Sequence, residues 1–100
     1  MGGFVNVEGR VLFWDESLGL ALLRFGEHGH IPPHAGPNNT RVCCLEGSGY
    51  TKVGDETAPL EAGQIVIWPA DIPHDLWTED STMTTLMVER PADGNTELDG

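Results

Sequence analysis

Three of the four histidines in this chain lie within seven residues, where they could act together on a metal ion. His28, His30 and His34 surround a Pro32–Pro33 step in the segment GEHGHIPPHAGPNNT. His74 follows forty residues after His34, at the end of the segment GQIVIWPADIPH. Neutral imidazole is the commonest side-chain ligand of transition metals. The two segments together therefore raise the question of a shared metal site.

The spacing of the three clustered histidines limits how they can cooperate. His28 and His30 stand at i and i+2, so on a strand they share a face and can chelate together. His30 and His34 are four residues apart, about 13 Å along an extended chain. One ion with bonds of roughly 2 Å cannot span that distance unless the Pro32–Pro33 step folds the chain back. Spacing alone leaves ligation, pocket lining and plain exposure open.

The elements that must position these histidines are short strands. Gly and Pro account for 20 of the 100 residues and interrupt the chain too often for long helices. We predict an all-β fold of about eight strands in one small antiparallel β-barrel or jelly roll, with little or no helix. It would form one domain over residues 1–90, followed by a flexible acidic tail over 91–100. The predicted strands are Phe4–Glu8, Val11–Trp14, Leu20–Phe25, Arg41–Glu46, Gly49–Val53, Gln64–Trp68, Asp75–Thr78 and Met83–Glu89.

Composition limits the partners. The net charge of −11, from five basic and sixteen acidic residues, disfavours nucleic acid and anionic membrane surfaces. No stretch of roughly 18 apolar residues is present to span a membrane. Cys43 and Cys44 are adjacent, which indicates two free thiols in a reducing cytoplasm. Several strands are apolar on both faces, notably Val42–Leu45 and Ile65–Trp68, which favours a homodimer.

The segment that ends at His74 carries a family pattern. Gly63, then five residues, Pro69, a short turn through Asp71 and His74 resembles the second motif of the cupin superfamily. Cupins often have glycine where this chain has Asp71. Pro69 lacks an N–H donor and ends its strand, so that His74 begins the next one. The resemblance covers Leu20–Val88 and implies a small single-domain cupin barrel.

The first cupin motif is degenerate in this chain. Its consensus is His-x-His, three or four residues, Glu, six residues, Gly. Anchored on Leu45–Gly47, the pattern puts Thr40 at the Glu position, Gly36 at the second His and His34 at the first. The resemblance therefore implies that His34 and His74 are the retained ligands of a divalent transition metal, Zn, Fe, Cu, Ni or Mn.

A metal would need a third protein ligand, because catalytic zinc normally takes three. His30 is our choice, with His28 and Cys44 as reserves. An alternative alignment makes His28 and His30 the family pair, but the position of Leu22–Phe25 argues against it. Cys44 faces inward if Thr40 does, because the strand alternates.

The same barrel could bind a small organic molecule. Thr40, Tyr50, Trp77 and Arg41 are the predicted ligand-binding side chains. The resemblance implies a metal-dependent dioxygenase, isomerase or decarboxylase acting on a small acid or sugar. The alternative is a metal-free barrel that binds or senses a small molecule without catalysis. A third hypothesis has His34 or His74 as the proton carrier of metal-free acid–base catalysis. Whether the protein is an enzyme stays open at this stage.

Overall fold

The computed structural model describes residues 4–92, which form seven β-strands and no helix. No segment of these residues is a helix long and apolar enough to cross a membrane. The predicted tail over 91–100 lies outside the described residues except for its first two positions. The strands are β1 (Val5–Trp14), β2 (Gly19–His34), β3 (Asn38–Val53), β4 (Glu56–Glu61), β5 (Ile65–Trp68), β6 (His74–Trp77) and β7 (Met83–Pro91).

Two long strands close the barrel. β2 and β3 have 16 residues each, and both pair with β7 along one half and with β6 along the other. Every pairing is antiparallel. β1 extends the sheet from β2, while β4 and β5 extend it from β3. This architecture confirms the predicted all-β antiparallel barrel. Its core contains Phe25, Ile31, Val42, Cys44, Leu60, Trp68, Leu76, Met83 and Met87.

The predicted strands Arg41–Glu46 and Gly49–Val53 are parts of one strand, because the chain bends at Gly47 without leaving the sheet. A register shift between Cys44 and Glu46, followed by Gly47 at φ +77°, redirects β3 from β7 toward β4. Glycine adopts this left-handed conformation without a steric penalty. The first two predicted strands likewise join into β1 across Gly9.

β4 was missed in the sequence. It contains Pro59, which cannot donate to a ladder and argues against a central strand. In the structure β4 pairs with β3 alone, and Pro59 lies opposite Tyr50 on this edge strand. An edge is where a strand proline is tolerated.

Candidate metal and ligand site

His34 and His74 meet at one mouth of the barrel. They are register partners across β2 and β6, and their Nε2 atoms lie 3.2 Å apart. The ring of His74 is buried whereas His34 is exposed, so the pair connects the interior with solvent. The two imidazoles that the family pattern singles out therefore lie next to each other in the folded chain.

A bulge at Pro32–Pro33 turns His34 inward. Ile31 pairs with Leu76 and His34 pairs with His74, so three residues advance on β2 against two on β6. Regular alternation would put His34 on the face opposite the core residue Ile31, but the extra residue restores it to the core face. The bulge interrupts the ladder of hydrogen bonds at Pro32 and Pro33. Because proline has no N–H, neither residue leaves a donor unpaired there.

Backbone carbonyls fix which nitrogens of the pair carry hydrogen. His34 Nδ1 lies 3.1 Å from the Pro32 oxygen, and His74 Nδ1 lies 2.9 Å from the Ile72 oxygen. A carbonyl only accepts, so each Nδ1 is the donor. A neutral imidazole has one N–H, which leaves two lone pairs facing each other at 3.2 Å. The arrangement is satisfied when a cation, either a proton or a metal ion, lies between the two Nε2 atoms.

The separation of the two Nε2 atoms fits two ligands of one transition-metal ion. Bonds of about 2.0–2.1 Å at angles between about 90° and 109° place two ligand nitrogens about 2.9–3.4 Å apart. The observed separation is 3.2 Å. Within residues 4–92, no group of three or more His, Cys, Asp or Glu side chains could hold a metal ion. The described chain thus offers two ligands, and the other coordination positions would fall to water or a bound molecule.

Trp68 holds His74 in place. The two rings stack at 4.0 Å between centroids and 15° between planes, and the edge of Trp68 also meets His34 at 6.2 Å. The indole Nε1 donates to Thr51 Oγ1 at 3.0 Å, and Thr51 donates to the Asp75 carbonyl at 2.8 Å. The sequence analysis did not include Trp68 among the site residues. Its signal was its position at the end of β5, immediately before the turn that leads to His74.

The structure does not bring His30 or His28 to the pair. His30 adjoins the core residue Ile31, so alternation turns it to the outer surface. Its Nε2 lies 3.7 Å from Asp75 Oδ2 there. His28 is exposed, at φ +56°, with Nε2 3.8 Å from Asp80 Oδ1. The bulge at Pro32–Pro33 turns His34 toward the inner face of β2, whereas His30 points to the outer face.

Cys44 lies in the core but away from the pair. Thr40, Val42 and Cys44 are all buried, which confirms the predicted alternation on β3. The Cys44 thiol donates to the carbonyls of Glu46 and Gly47 at 3.5 and 3.6 Å. Burial raises the pKa of Cys44, so the thiol stays protonated, whereas a metal takes the thiolate.

The other predicted ligand-binding residues are divided between the two faces. Thr40 is buried on the core face, opposite Trp68. Tyr50 and Trp77 stack at 5.8 Å on the outer face, because Trp77 is the third residue after His74 on β6 and alternation turns it to the other side. Arg41 also faces outward, since it alternates with the buried residues of β3. Tyr50, Trp77 and Arg41 therefore do not line the His34–His74 mouth.

Open space lies beside the pair. A Cβ built on Gly36 would meet no atom within 4 Å. The Gly36 carbonyl accepts from the N–H of Asp71, whose φ of +68° is a conformation that glycine adopts more readily. A pocket of about 160 Å³ lies beside the buried ring; Pro33, Lys52, Gly54, Pro73, His74 and Asp75 line it. Of the two imidazoles, only His74 lines this pocket.

The stability of the chelator-treated protein should depend on pH through His74. Burial, and then the neighbouring His34, lower the pKa of His74. The unfolded chain therefore binds more protons just below pH ~6.5, the ordinary histidine value. We expect the free energy of unfolding in urea to be highest above that pH and to fall from pH ~7.5 to ~5.5. His74→Gln should flatten this slope while His28→Gln leaves it unchanged; an equal slope in all three proteins would contradict the assignment.

Comparison with known proteins identifies the family to which this architecture belongs. The fold and the paired imidazoles define a small antiparallel β-barrel with a histidine site at one mouth. The family model Cupin_2, described as a cupin domain, matches residues 21–89. The chain therefore belongs to the cupin family, as its second motif indicated. A search of curated proteins finds no match.

Solved structures support the same fold. A conserved protein of unknown function from Streptococcus pyogenes, SPY1581, is 25% identical over 88% of this chain and 76% of its own, with a TM-score of 0.80. The protein TT1209 from Thermus thermophilus is 25% identical, with 86% and 84% covered and a TM-score of 0.81. The polyketide cyclase RemF from Streptomyces resistomycificus is 23% identical, with 91% and 68% covered and a TM-score of 0.80. At that identity RemF shows the fold alone.

Proposed function

We propose that this cupin binds one divalent transition metal ion through the Nε2 atoms of His34 and His74. The metal candidates are Zn, Fe, Cu, Ni and Mn, all of which accept imidazole. The remaining coordination positions face the open mouth, where a small organic acid or sugar would bind. When bound, such an ion supplies Lewis-acid chemistry or activates a water molecule.

One observation carries this proposal: the two Nε2 atoms face each other at 3.2 Å, while each Nδ1 lies within hydrogen-bond distance of a carbonyl oxygen. Two neutral rings supply two N–H donors, but there are three contacts: one from each ring to a carbonyl oxygen and one between the two rings. The contact between the rings therefore lacks a proton or another cation. A proton on His74 is disfavoured near neutral pH because its pKa is lowered. A metal ion satisfies both lone pairs without protonating either ring.

The chain's own residues prepare this site before any ligand arrives. The carbonyls of Pro32 and Ile72 hold each ring in the tautomer that presents Nε2. Trp68 covers one side of His74 and closes the barrel interior, so a ligand must approach from the solvent side. Such orientation of ligands by neighbouring groups reduces the rearrangement needed on binding.

Metal titration of the chelator-treated protein tests the proposal. We expect a stoichiometry of one Zn²⁺ per chain by calorimetry. Free metal at 100 times the Kd adds about 2.7 kcal/mol to the free energy of unfolding, which raises the Tm by roughly 10 °C or more for a domain of this size. Cu²⁺ should also quench Trp68 fluorescence, and Trp68→Phe should remove that component. Absence of both heat and thermal shift would reject the proposal.

A metal-free ligand-binding barrel is the second candidate. Gly36 and Thr40 occupy two of the four family ligand positions, so the ligand set is incomplete. In this case the two Nε2 acceptors would bind the N–H or O–H donors of a small molecule directly. A panel of small acids and sugars that stabilises the chelator-treated protein equally with and without Zn²⁺ would favour this function over the first.

A further inference from the structure

A second pocket lies on the outer side of β6, on the surface opposite the His34–His74 pair. It has a volume of about 390 Å³ and is open to solvent. This volume falls within the range of roughly 300–1,000 Å³ that is typical of small-molecule sites. Its walls come from β2, from β6 and from the two residues that follow β6. We call it the outer pocket, and the side chains that line it are His28, His30, Asp75, Trp77, Thr78 and Glu79.

A carboxylate oxygen without a partner lies in the wall of the outer pocket. Asp75 points to the outer side of β6, because it precedes the core residue Leu76, yet it is only 8% exposed. Its Oδ2 atom lies 3.7 Å from His30 Nε2. Its Oδ1 atom is buried and has no hydrogen-bond partner among residues 4–92. A buried carboxylate is destabilising unless donors or a cation satisfy it, so a bound cation would stabilise Asp75.

The charge around the outer pocket also favours a cation. Asp75 and Glu79 both line it, and among the described residues no lysine or arginine does. Lys52 lies opposite Asp75 across β3 and β6, but it is exposed and lines the smaller pocket on the other side of Asp75. The net charge of −11 on the whole chain attracts cations further.

Trp77 gives the outer pocket an aromatic wall. Its ring stacks on Tyr50 with the centroids 5.8 Å apart and the planes at 21°, and it meets His30 edge-on at 6.4 Å. The indole Nε1 donates to Glu79 Oε2 at 3.4 Å, which holds a second carboxylate beside the ring. A tryptophan ring attracts ammonium and guanidinium groups, so the wall and the carboxylates favour the same class of ligand.

Backbone hydrogen bonds fix the floor of the outer pocket. The Thr78 N–H donates to the Gly29 carbonyl at 2.9 Å, and the Gly29 N–H donates to Thr78 Oγ1 at 2.9 Å. The His28 N–H donates to the Glu79 carbonyl at 2.9 Å. These bonds tie β2 to the segment that follows β6. A site that is ordered before binding loses less conformational freedom when the ligand arrives.

We propose that the outer pocket binds a small organic cation that carries N–H donors, either a primary ammonium or a guanidinium. A small rotation about the soft terminal torsion of Asp75 brings Oδ1 to the pocket, where the cation donates to it. The charge of the ligand then lies against Trp77 and near Glu79. Within the described part of the chain, no group of three or more side chains could hold a metal ion, which favours an organic cation here. The proposal goes beyond the site of His34 and His74 and does not depend on it.

Titration by NMR tests this site, with the indole N–H signal of Trp77 as the reporter. The ligands are n-butylammonium and methylguanidinium, and NaCl keeps the ionic strength constant. We expect a saturable shift with a Kd of about 1 mM. Tetramethylammonium has the same charge but no N–H, so it should bind at least about 10-fold more weakly. No saturable shift up to ~50 mM of either ligand, or equal binding of tetramethylammonium, would overturn the proposal.

Variants identify the carboxylate that binds the cation. Asp75→Asn keeps the shape of the side chain and should weaken binding at least about 10-fold. Glu16→Gln is the matched control, because it removes one exposed carboxylate in the turn between β1 and β2 and should change the Kd by less than about 2-fold. If Asp75→Asn does not fold, Glu79→Gln at an exposed position should weaken binding by about 2- to 5-fold. Unchanged binding in the folded variant would contradict the proposed site.

A peptide determines the source of the cation. The capped peptide acetyl-Gly-Lys-Gly-amide presents the same ammonium group from a polypeptide. It should bind no more tightly than n-butylammonium, because the contacts that we propose involve the cation alone. Tighter binding of the peptide would assign the outer pocket to a lysine side chain of a protein partner and overturn the small-molecule proposal.

Discussion

His74→Ala should weaken binding of Zn²⁺ by at least about 100-fold. The wild-type pair offers two preoriented Nε2 atoms 3.2 Å apart, and the variant keeps only one. Loss of a group that merely orients a ligand typically costs about 10–100-fold in metal affinity, so loss of one of two ligands should cost more. Calorimetry on chelator-treated protein at constant pH measures the change directly.

Three further variants make this result specific. His74 is buried, so its removal could also disturb the fold. His34 is exposed, so its removal leaves the core unchanged. His34→Ala should therefore reproduce the loss of metal affinity with a smaller change in Tm. His28→Asn is the matched control, because asparagine tolerates the φ of +56° at this exposed position. Trp68→Phe, which keeps a ring against His74, should retain most of the affinity. Unchanged affinity in both His34→Ala and His74→Ala would exclude the pair as the site.

The class of fold was predictable because the strands that form the barrel are apolar on the side that faces the core. The alternation Thr40, Val42, Cys44 alone shows which side of β3 faces inward. Strand ends were less predictable, because glycine usually signals a turn. At Gly47 it instead serves a bend within one continuous strand, and only the pairing partners distinguish the two outcomes.

The candidate site was predictable to the extent that local patterns fix side-chain direction. Pro69 and the following turn make His74 the first residue of β6. Regular alternation then puts Trp77 on the other side of β6, and the sequence analysis overlooked this consequence. The inward direction of His34 depends on a bulge opposite Leu76, which belongs to a strand far along the chain. No local signal specifies such a bulge. This is why His30 was chosen as the third ligand although the structure turns it outward.

Gly36→His should tighten Zn²⁺ binding by roughly 10- to 100-fold, because it would add the third imidazole that catalytic zinc sites usually have. Gly36 stands two residues after His34, at the position that the family pattern gives to its second histidine. Its φ is not left-handed and a Cβ there meets no atom within 4 Å, so the new side chain can be accommodated without strain. The same calorimetric titration compares it with the wild type.

Ala35→His is the matched control, since it adds the same imidazole one residue earlier, at an exposed position that the family pattern does not assign to a ligand. It should leave the Kd within a few-fold of the wild type. The double variant Gly36→His, His74→Ala then separates two explanations of any gain. If Gly36→His acts by completing the site of His34 and His74, removal of His74 should cancel most of the gain. A gain that survives this removal would mean that the added histidine binds metal elsewhere, and that the open space beside the pair is not part of the site.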